Sequence, residues 1–318
     1  MGRNRHAVVS RAAIGAVAVV VIAGCGLAGL PAAAAAPGGT TARAAASSIC
    51  TSVKRPKLAA RISRGITAAL HGRTDSVVGL TASDAAAGLS CAVNEKLHFY
   101  AASVIKVTII SALLLKVHGP HGLTRAQRNL AYLMITQSSN KAATDLWDDV
   151  GMADMQRFLD KAGMRHTLLS DAWGLTLITA QDELTLLHLL TNPGKVLGKN
   201  SRNYALWLMS KVIPAERWGV PAGAPADVTV HVKNGWLAYP DADDWNINSI
   251  GAFTGKHIAY QIVVLTAPPA GGSQGESYGI STVQAVAEVI NRELAARRAA
   301  SAAPASVPDR AALAEPGG

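Results

Sequence analysis

The chain has 318 residues, 49% of them hydrophobic and 16% charged, enough length and apolar content for a substantial core. The formal charge is +9, but the basic residues are scattered and aromatics make up only 5%. No basic, aromatic-laced stripe for nucleic acid emerges, and the composition fits a soluble exported protein.

Residues 1–36 begin with Arg3, Arg5 and Arg11 and continue with an apolar stretch over 12–23. That pattern predicts an export signal rather than a spanning helix. Two processing readings stay open. Ile22-Ala23-Gly24-Cys25 resembles a lipoprotein box, which would place a lipid on Cys25; the alanine run before Pro37 resembles an ordinary A-x-A cleavage site. The three arginines leave with the signal and no acid does, which lowers +9 to +6. Residues 37–49 read as a small-residue linker, 50–297 as one folded unit, and 298–318 as a disordered tail rich in Ala and Pro.

Within the folded unit, Leu58, Ile62, Ile66 and Leu70 recur at helical spacing and predict a helix over 54–71. Residues 77–82 and 89–93 read as a strand pair joined by the turn at 84–88. An apolar helix over 103–117 is stopped by Gly119-Pro120. Further helices are predicted at 123–137, 141–150 and 152–162. Another covers 179–190, where Thr179 supplies a cap and Asp182 and Glu183 an acidic first turn, and one more covers 202–212. Strands follow at 228–233, 248–253 and 258–265, and a helix over 281–297 closes the unit. Strands thus flank a helical block, with a helix at each end. The expectation is an α/β (α+β) fold with a sheet covered by the terminal helices and an inserted all-α part, the cleft lying between them.

Three short strings carry the chemistry: Ser103-Val104-Ile105-Lys106, Ser138-Ser139-Asn140 and Lys233-Asn234-Gly235. Singly each is weak, and Ser138-Ser139-Asn140-Lys141 is itself a second S-x-x-K. Order and context make the case. Ser103 opens an apolar helix, where free N–H groups and the dipole favour an anion. Lys106 lies one turn on, on the same face. A lysine near a second cation and away from water loses its proton more easily and can then serve as a base. Read alone, Ser138 or Asn140 is better taken as a cap for the helix beginning at Lys141.

Together the strings resemble the S-x-x-K, S-x-N and K-T-G motifs of the penicillin-recognising serine hydrolases, and residues 134–145 resemble the S-D-N segment of class A β-lactamases. The resemblance spans about residues 50–297. It implies a β-lactamase/transpeptidase-like fold with a five-stranded, mainly antiparallel sheet. It implies Ser103 as nucleophile, Lys106 as its base, and Ser138 as proton relay, with Lys233 a fixed charge beside it. It implies Asn140, Asn234, Gly235 and Trp236 as substrate-binding residues, with Asn234 donating to a substrate carboxylate in place of Thr or Ser. The backbone N–H groups of Ser103 and Trp236 would form the oxyanion hole. The implied ligand is a β-lactam or a peptidoglycan stem peptide. No cofactor, metal or nucleic acid is implied, the only membrane attachment is a lipid on Cys25, and the expected state is a monomer.

Two departures matter. Ser139 stands where class A enzymes have aspartate. The omega-loop string Trp-Glu-x-x-Leu-Asn is reduced, in 167–179, to Trp173-Gly174 without a glutamate. Asp171 is the nearest carboxylate by sequence and the candidate deacylation base; Glu183 falls inside the next helix. Acylation should survive that loss, and fast deacylation need not. Three readings therefore remain: a β-lactam-hydrolysing enzyme, a D-alanyl-D-alanine carboxypeptidase or penicillin-binding protein, and a binding or sensing protein without turnover. Cys50 and Cys91 form an even pair in an exported chain, either a disulfide worth about 4 kcal/mol or two buried thiols. His118 and His121 lie in a Gly/Pro turn. No H-x-H-x-D string, phosphate loop, dinucleotide fingerprint or G-x-S-x-G elbow occurs.

Overall fold

The computed structural model describes residues 48–239 and 244–302. The expected export signal, most of the linker and the tail beyond 302 lie outside the described residues.

In chain order the elements are β1 (Cys50–Ser52), α1 (Pro56–Leu70), β2 (Val77–Asp84), β3 (Leu89–Val93), β4 (Phe99–Tyr100), α2 (Ile105–Lys116), α3 (Arg125–Thr136), α4 (Asn140–Val150) and α5 (Met152–Ala162). They continue with β5 (Leu177–Ile178), α6 (Ala180–Thr191), α7 (Lys199–Ser210), β6 (Thr229–Ala238), β7 (Trp245–Gly255), β8 (Ile258–Ala267) and α8 (Glu276–Ala302). The main sheet has the order β1-β3-β2-β8-β7-β6, antiparallel at every pairing. It has six strands where five were expected. The extra one is β1, whose three residues are too short to leave a periodic signal and form only because β3 offers an open edge. Cys50 and Cys91 face each other in that pairing and are joined by a disulfide. Cys50 therefore lies in a strand. A second omission is the two-stranded β4-β5 ladder, with Phe99 opposite Ile178 and Tyr100 opposite Leu177.

Helices α1 and α8 pack together on one side, α8 against β7 and β8; α6 and α7 pack against the sheet as well. With helices on it, the sheet buries most residues of β7 and β8, and β8 accordingly reads as a largely continuous apolar run, while β7 carries the buried polar residues Asn246, Asn248 and Ser249. Helix α2 is the axis of the helical part. Ten consecutive residues, Ile105 to Leu114, are buried, the mark of a helix enclosed on all sides. It packs on α3, α4, α5 and α7. The helix α8 begins earlier and ends later than expected, running to Ala302 past the boundary placed at 297.

Caps fix where the elements begin. Thr124 and Gln127 form a reciprocal capping box on α3, 3.1 and 2.8 Å. Thr179 accepts from the N–H of Asp182 at α6. At α4 the cap is Ser139, whose hydroxyl accepts from Ala142 N–H at 3.2 Å. That settles the competition at Ser138-Ser139-Asn140: the middle serine caps, and its two neighbours are released for other contacts.

Candidate active site

Ser103 sits in a 3₁₀ turn, Ala102–Val104, that feeds directly into α2. The residue before it, Ala102, has φ +48°, a conformation that costs a non-glycine residue energy and recurs at functional sites. Asn248 on β7 steadies this turn from below, donating to the carbonyls of Tyr100 at 2.8 Å and Ala101 at 3.2 Å. On β6, Gly235 is the close-approach point. A methyl group there would lie 2.8 Å from the nitrogens of both Ser103 and Val104 and 3.0 Å from the carbonyl oxygen of Ala101. Only glycine lets the strand meet the mouth of α2.

Lys106, one turn beyond Ser103, is fully buried. Its Nζ lies 2.7 Å from Ser103 Oγ, 2.8 Å from the Ser138 carbonyl oxygen, 2.8 Å from Asn140 Oδ1 and 3.2 Å from Ser138 Oγ. The indole ring of Trp173 lies 4.9 Å away, and its Nε1 donates to Thr144 Oγ1 at 3.1 Å. Burial, and then the charge of Lys233, lower the Lys106 pKa to about 6 against an opposing pull from Glu216. The amine is therefore mostly neutral at pH 7.

Ser138 holds φ +54°, which turns both its carbonyl and its hydroxyl toward Lys106. Its hydroxyl also accepts from Lys233 Nζ at 2.9 Å, so it bridges the two lysines. Lys233 donates further to its neighbour's carbonyl, Asn234 O, at 2.7 Å. It too is fully buried, and burial lowers its pKa to about 8, with Glu216 pulling the other way. Trp236 is half-buried, with its ring 5.8 Å from that of Trp218.

The structure thus brings Ser103, Lys106, Ser138, Asn140, Lys233 and Gly235 to one point. It does not bring Asn234 there. That side chain is fully buried and turned away, both of its N–H groups being given to the carbonyls of Glu216 and Trp218, at 2.8 and 2.9 Å. The expectation that it donates to a substrate carboxylate fails because adjacent strand residues point to opposite faces. Asp171 is exposed, and among the described residues no hydrogen bond links it to Ser103 or Lys106. Glu183 is fully buried in α6 with neither oxygen partnered, and burial raises its pKa to about 8.

Two contributors escaped the sequence reading. Asn248 sits within a buried strand, and a polar residue in a buried strand is a signal that could have found it. Glu216 lies in a short turn without periodicity, and nothing local marks it. Among the described residues, no cluster of three or more His, Cys, Asp or Glu could hold a metal ion, and no helix is long and apolar enough to cross a membrane.

A sequence model described as the β-lactamase enzyme family matches residues 115–294. The chain belongs to that family. The matched span contains Ser138, Asn140 and Lys233, while Ser103 and Lys106 precede it. No curated protein sequence matches the chain. Among solved structures it resembles a β-lactamase from Desulfarculus baarsii, at 19% identity and TM-score 0.61, covering 73% of this chain and 97% of the other. It resembles a class A β-lactamase from Bacteroides cellulosilyticus at 16% identity and TM-score 0.64, covering 74% and 98%. It also resembles a point mutant of PBP-A, in an acyl-enzyme complex with penicillin G, at 18% identity and TM-score 0.62, covering 76% and 97%. The fold is therefore that of the serine β-lactamases, and the chain is a serine β-lactamase-like hydrolase.

Proposed function

We propose that the protein is acylated at Ser103 by β-lactams or related amides and hydrolyses them. The observation that carries this reading is the 2.7 Å contact between Ser103 Oγ and an amine whose pKa is lowered to about 6. A neutral Lys106 has two N–H groups and one lone pair. The Ser138 carbonyl and Asn140 Oδ1 take the two hydrogens, each at 2.8 Å. The lone pair is left for the Ser103 hydroxyl.

In the proposed first step Ser103 Oγ attacks the amide carbonyl and its proton passes to Lys106. The N–H groups of Ser103 and Trp236 receive the oxyanion. The C–N bond then breaks as the proton moves from Lys106 through Ser138 to the leaving nitrogen. The Lys233 charge holds the Ser138 oxygen in line. Attack of water on the ester returns the Ser103 hydroxyl and releases the acid.

Among the described residues, no hydrogen bond joins a carboxylate to Ser103 or Lys106 for the second step. Asp171 is exposed, and the indole of Trp173 lies over Lys106. This favours, as a second reading, a D-alanyl-D-alanine carboxypeptidase or penicillin-binding protein; a long-lived acyl-enzyme would also fit a sensing protein. Export is part of the proposal, the chain being secreted or lipid-anchored through Cys25 on the outer face of the cytoplasmic membrane. The disulfide suits such an oxidising compartment. We assign 1–36 to the signal, 37–49 to a linker, the enzyme to the unit beginning near residue 50, and the tail to an Ala/Pro-rich extension.

A chromogenic cephalosporin tests the proposal. Sustained product formation beyond one equivalent supports hydrolysis. A burst of one equivalent with a stable adduct supports the second reading, and a stem-peptide assay then separates peptidase from sensor. Neither turnover nor adduct from folded protein would refute acylation.

A further inference from the structure

We propose that Trp173 sets the lifetime of the acyl-enzyme: its indole lies over Lys106, held there by Thr144, and shuts out the water that this amine would otherwise activate. The inference rests on the acylation reading above and concerns how quickly the ester formed there is released.

The ring is held in place from several sides. Its Nε1 donates to Thr144 Oγ1 on α4 at 3.1 Å. The 3₁₀ turn that carries it, Trp173–Leu175, is closed by the N–H of Leu175 on the carbonyl of Ala172 at 2.8 Å. The next residue, Thr176, accepts from Ala101 N–H at 2.8 Å, which ties the turn to the chain entering Ser103. Leu168 and Leu177 exchange two backbone hydrogen bonds, at 2.8 and 3.0 Å, and close the loop behind it. A methyl group on Gly174 would lie 4.0 Å from the Cα of Ala102, so the loop rests directly on the nucleophile's turn.

The consequence is chemical. Once Ser103 Oγ carries the acyl group, Lys106 has passed its proton through Ser138 to the leaving nitrogen and is neutral again. Its two hydrogens stay on the Ser138 carbonyl and Asn140 Oδ1, and its lone pair lies beside the ester oxygen, 2.7 Å away in the free enzyme. The amine is thus a base already in position. Hydrolysis through it needs a water that touches both that lone pair and the ester carbonyl. The water oxygen bonds to the carbonyl carbon and its proton goes to Lys106. The bond from that carbon to Ser103 Oγ then breaks, and the proton returns to Oγ as the acid leaves. Lys106 is fully buried, and the indole face lies 4.9 Å from its Nζ, within the contact range of an amine and a ring. An apolar face in that place excludes the water. Turning the ring aside costs the Nε1 hydrogen bond to Thr144.

The test follows the penicillin adduct on Ser103 by intact-protein mass spectrometry, first its formation and then, after excess penicillin is removed, its decay. Trp173→Ala should speed decay about a hundredfold, the lower end of what a positioned base supplies, while adduct formation changes far less. Trp173→Phe keeps an apolar ring and should retain most of the lifetime. Thr144→Val loses only the tether, at an exposed position, and should fall between the natural protein and Trp173→Ala; if Trp173→Ala does not fold, this variant decides. A loosened site would instead slow both steps together. Decay no faster in these variants than in the natural protein would overturn the inference. If penicillin leaves Ser103 of the natural protein unlabelled, the acylation reading falls and this inference with it; if it labels Ser103 and decay ignores Trp173, only the inference falls.

Discussion

At the scale of residues, the site is a division of hydrogens among few atoms. Lys106 has two acceptors that cannot donate, the Ser138 carbonyl and Asn140 Oδ1, and two hydroxyls that can, those of Ser103 and Ser138, which suits a neutral amine. Its lowered pKa gives the sign of the pH dependence. Acylation should rise as pH climbs through about 6, where Lys106 loses its proton, and fall above about 8, where Lys233 loses its charge. A pH–rate profile checks this; a flat rate between pH 5 and 7 would contradict it. Ser138→Ala should cost about 10²–10⁴-fold in acylation, since it removes the bridge between the lysines, with little change in melting temperature. Much of this was legible in the three strings, because each residue's chemistry depends on its type and its helical offset. Asn234 was not. Its role depends on which face of β6 it occupies and on carbonyls that lie 18 and 16 residues away in sequence and adjacent in space.

At the scale of elements, β6 and the mouth of α2 meet through a glycine. Gly235→Ala must separate them or distort the Ser103 turn. It should cut acylation by about a hundredfold, because a misplacement of about 1 Å costs that much in a positioned site. Kinetics on the folded variant would show it. Helix α6 carries a different tension in Glu183, a buried carboxyl without a partner. Its folded pKa of about 8 lies above the ordinary 4.5, so the folded state binds an extra proton between those values. Its contribution to stability is full below pH 4.5 and is lost as pH rises through 8. Glu183→Leu should stabilise by about 1–3 kcal/mol at neutral pH and flatten that slope. Urea unfolding at pH 5 and pH 8 measures both. Helices were well read from sequence because α1, α4 and α5 carry a clear apolar stripe. The short β1, β4 and β5 were missed because two or three residues hold no period and form only against partners far along the chain.

At the scale of the whole molecule, the fold brings an edge-strand disulfide, an enclosed central helix and the Ser103 site into one hydrolase unit. The disulfide closes a 41-residue separation between Cys50 and Cys91. Its reduction should cost about 4 kcal/mol on the chain-entropy account. A lowered denaturation midpoint in the presence of reductant would show it, while the site, lying on other elements, keeps its geometry. The most direct measurement of the central claim is peptide mapping of the protein after incubation with a penicillin. The adduct should lie on the peptide containing Ser103, form faster as pH rises through 6, and vanish in Ser103→Ala while that variant melts as the natural protein does. An adduct on another residue, or undiminished labelling of Ser103→Ala, would contradict the account.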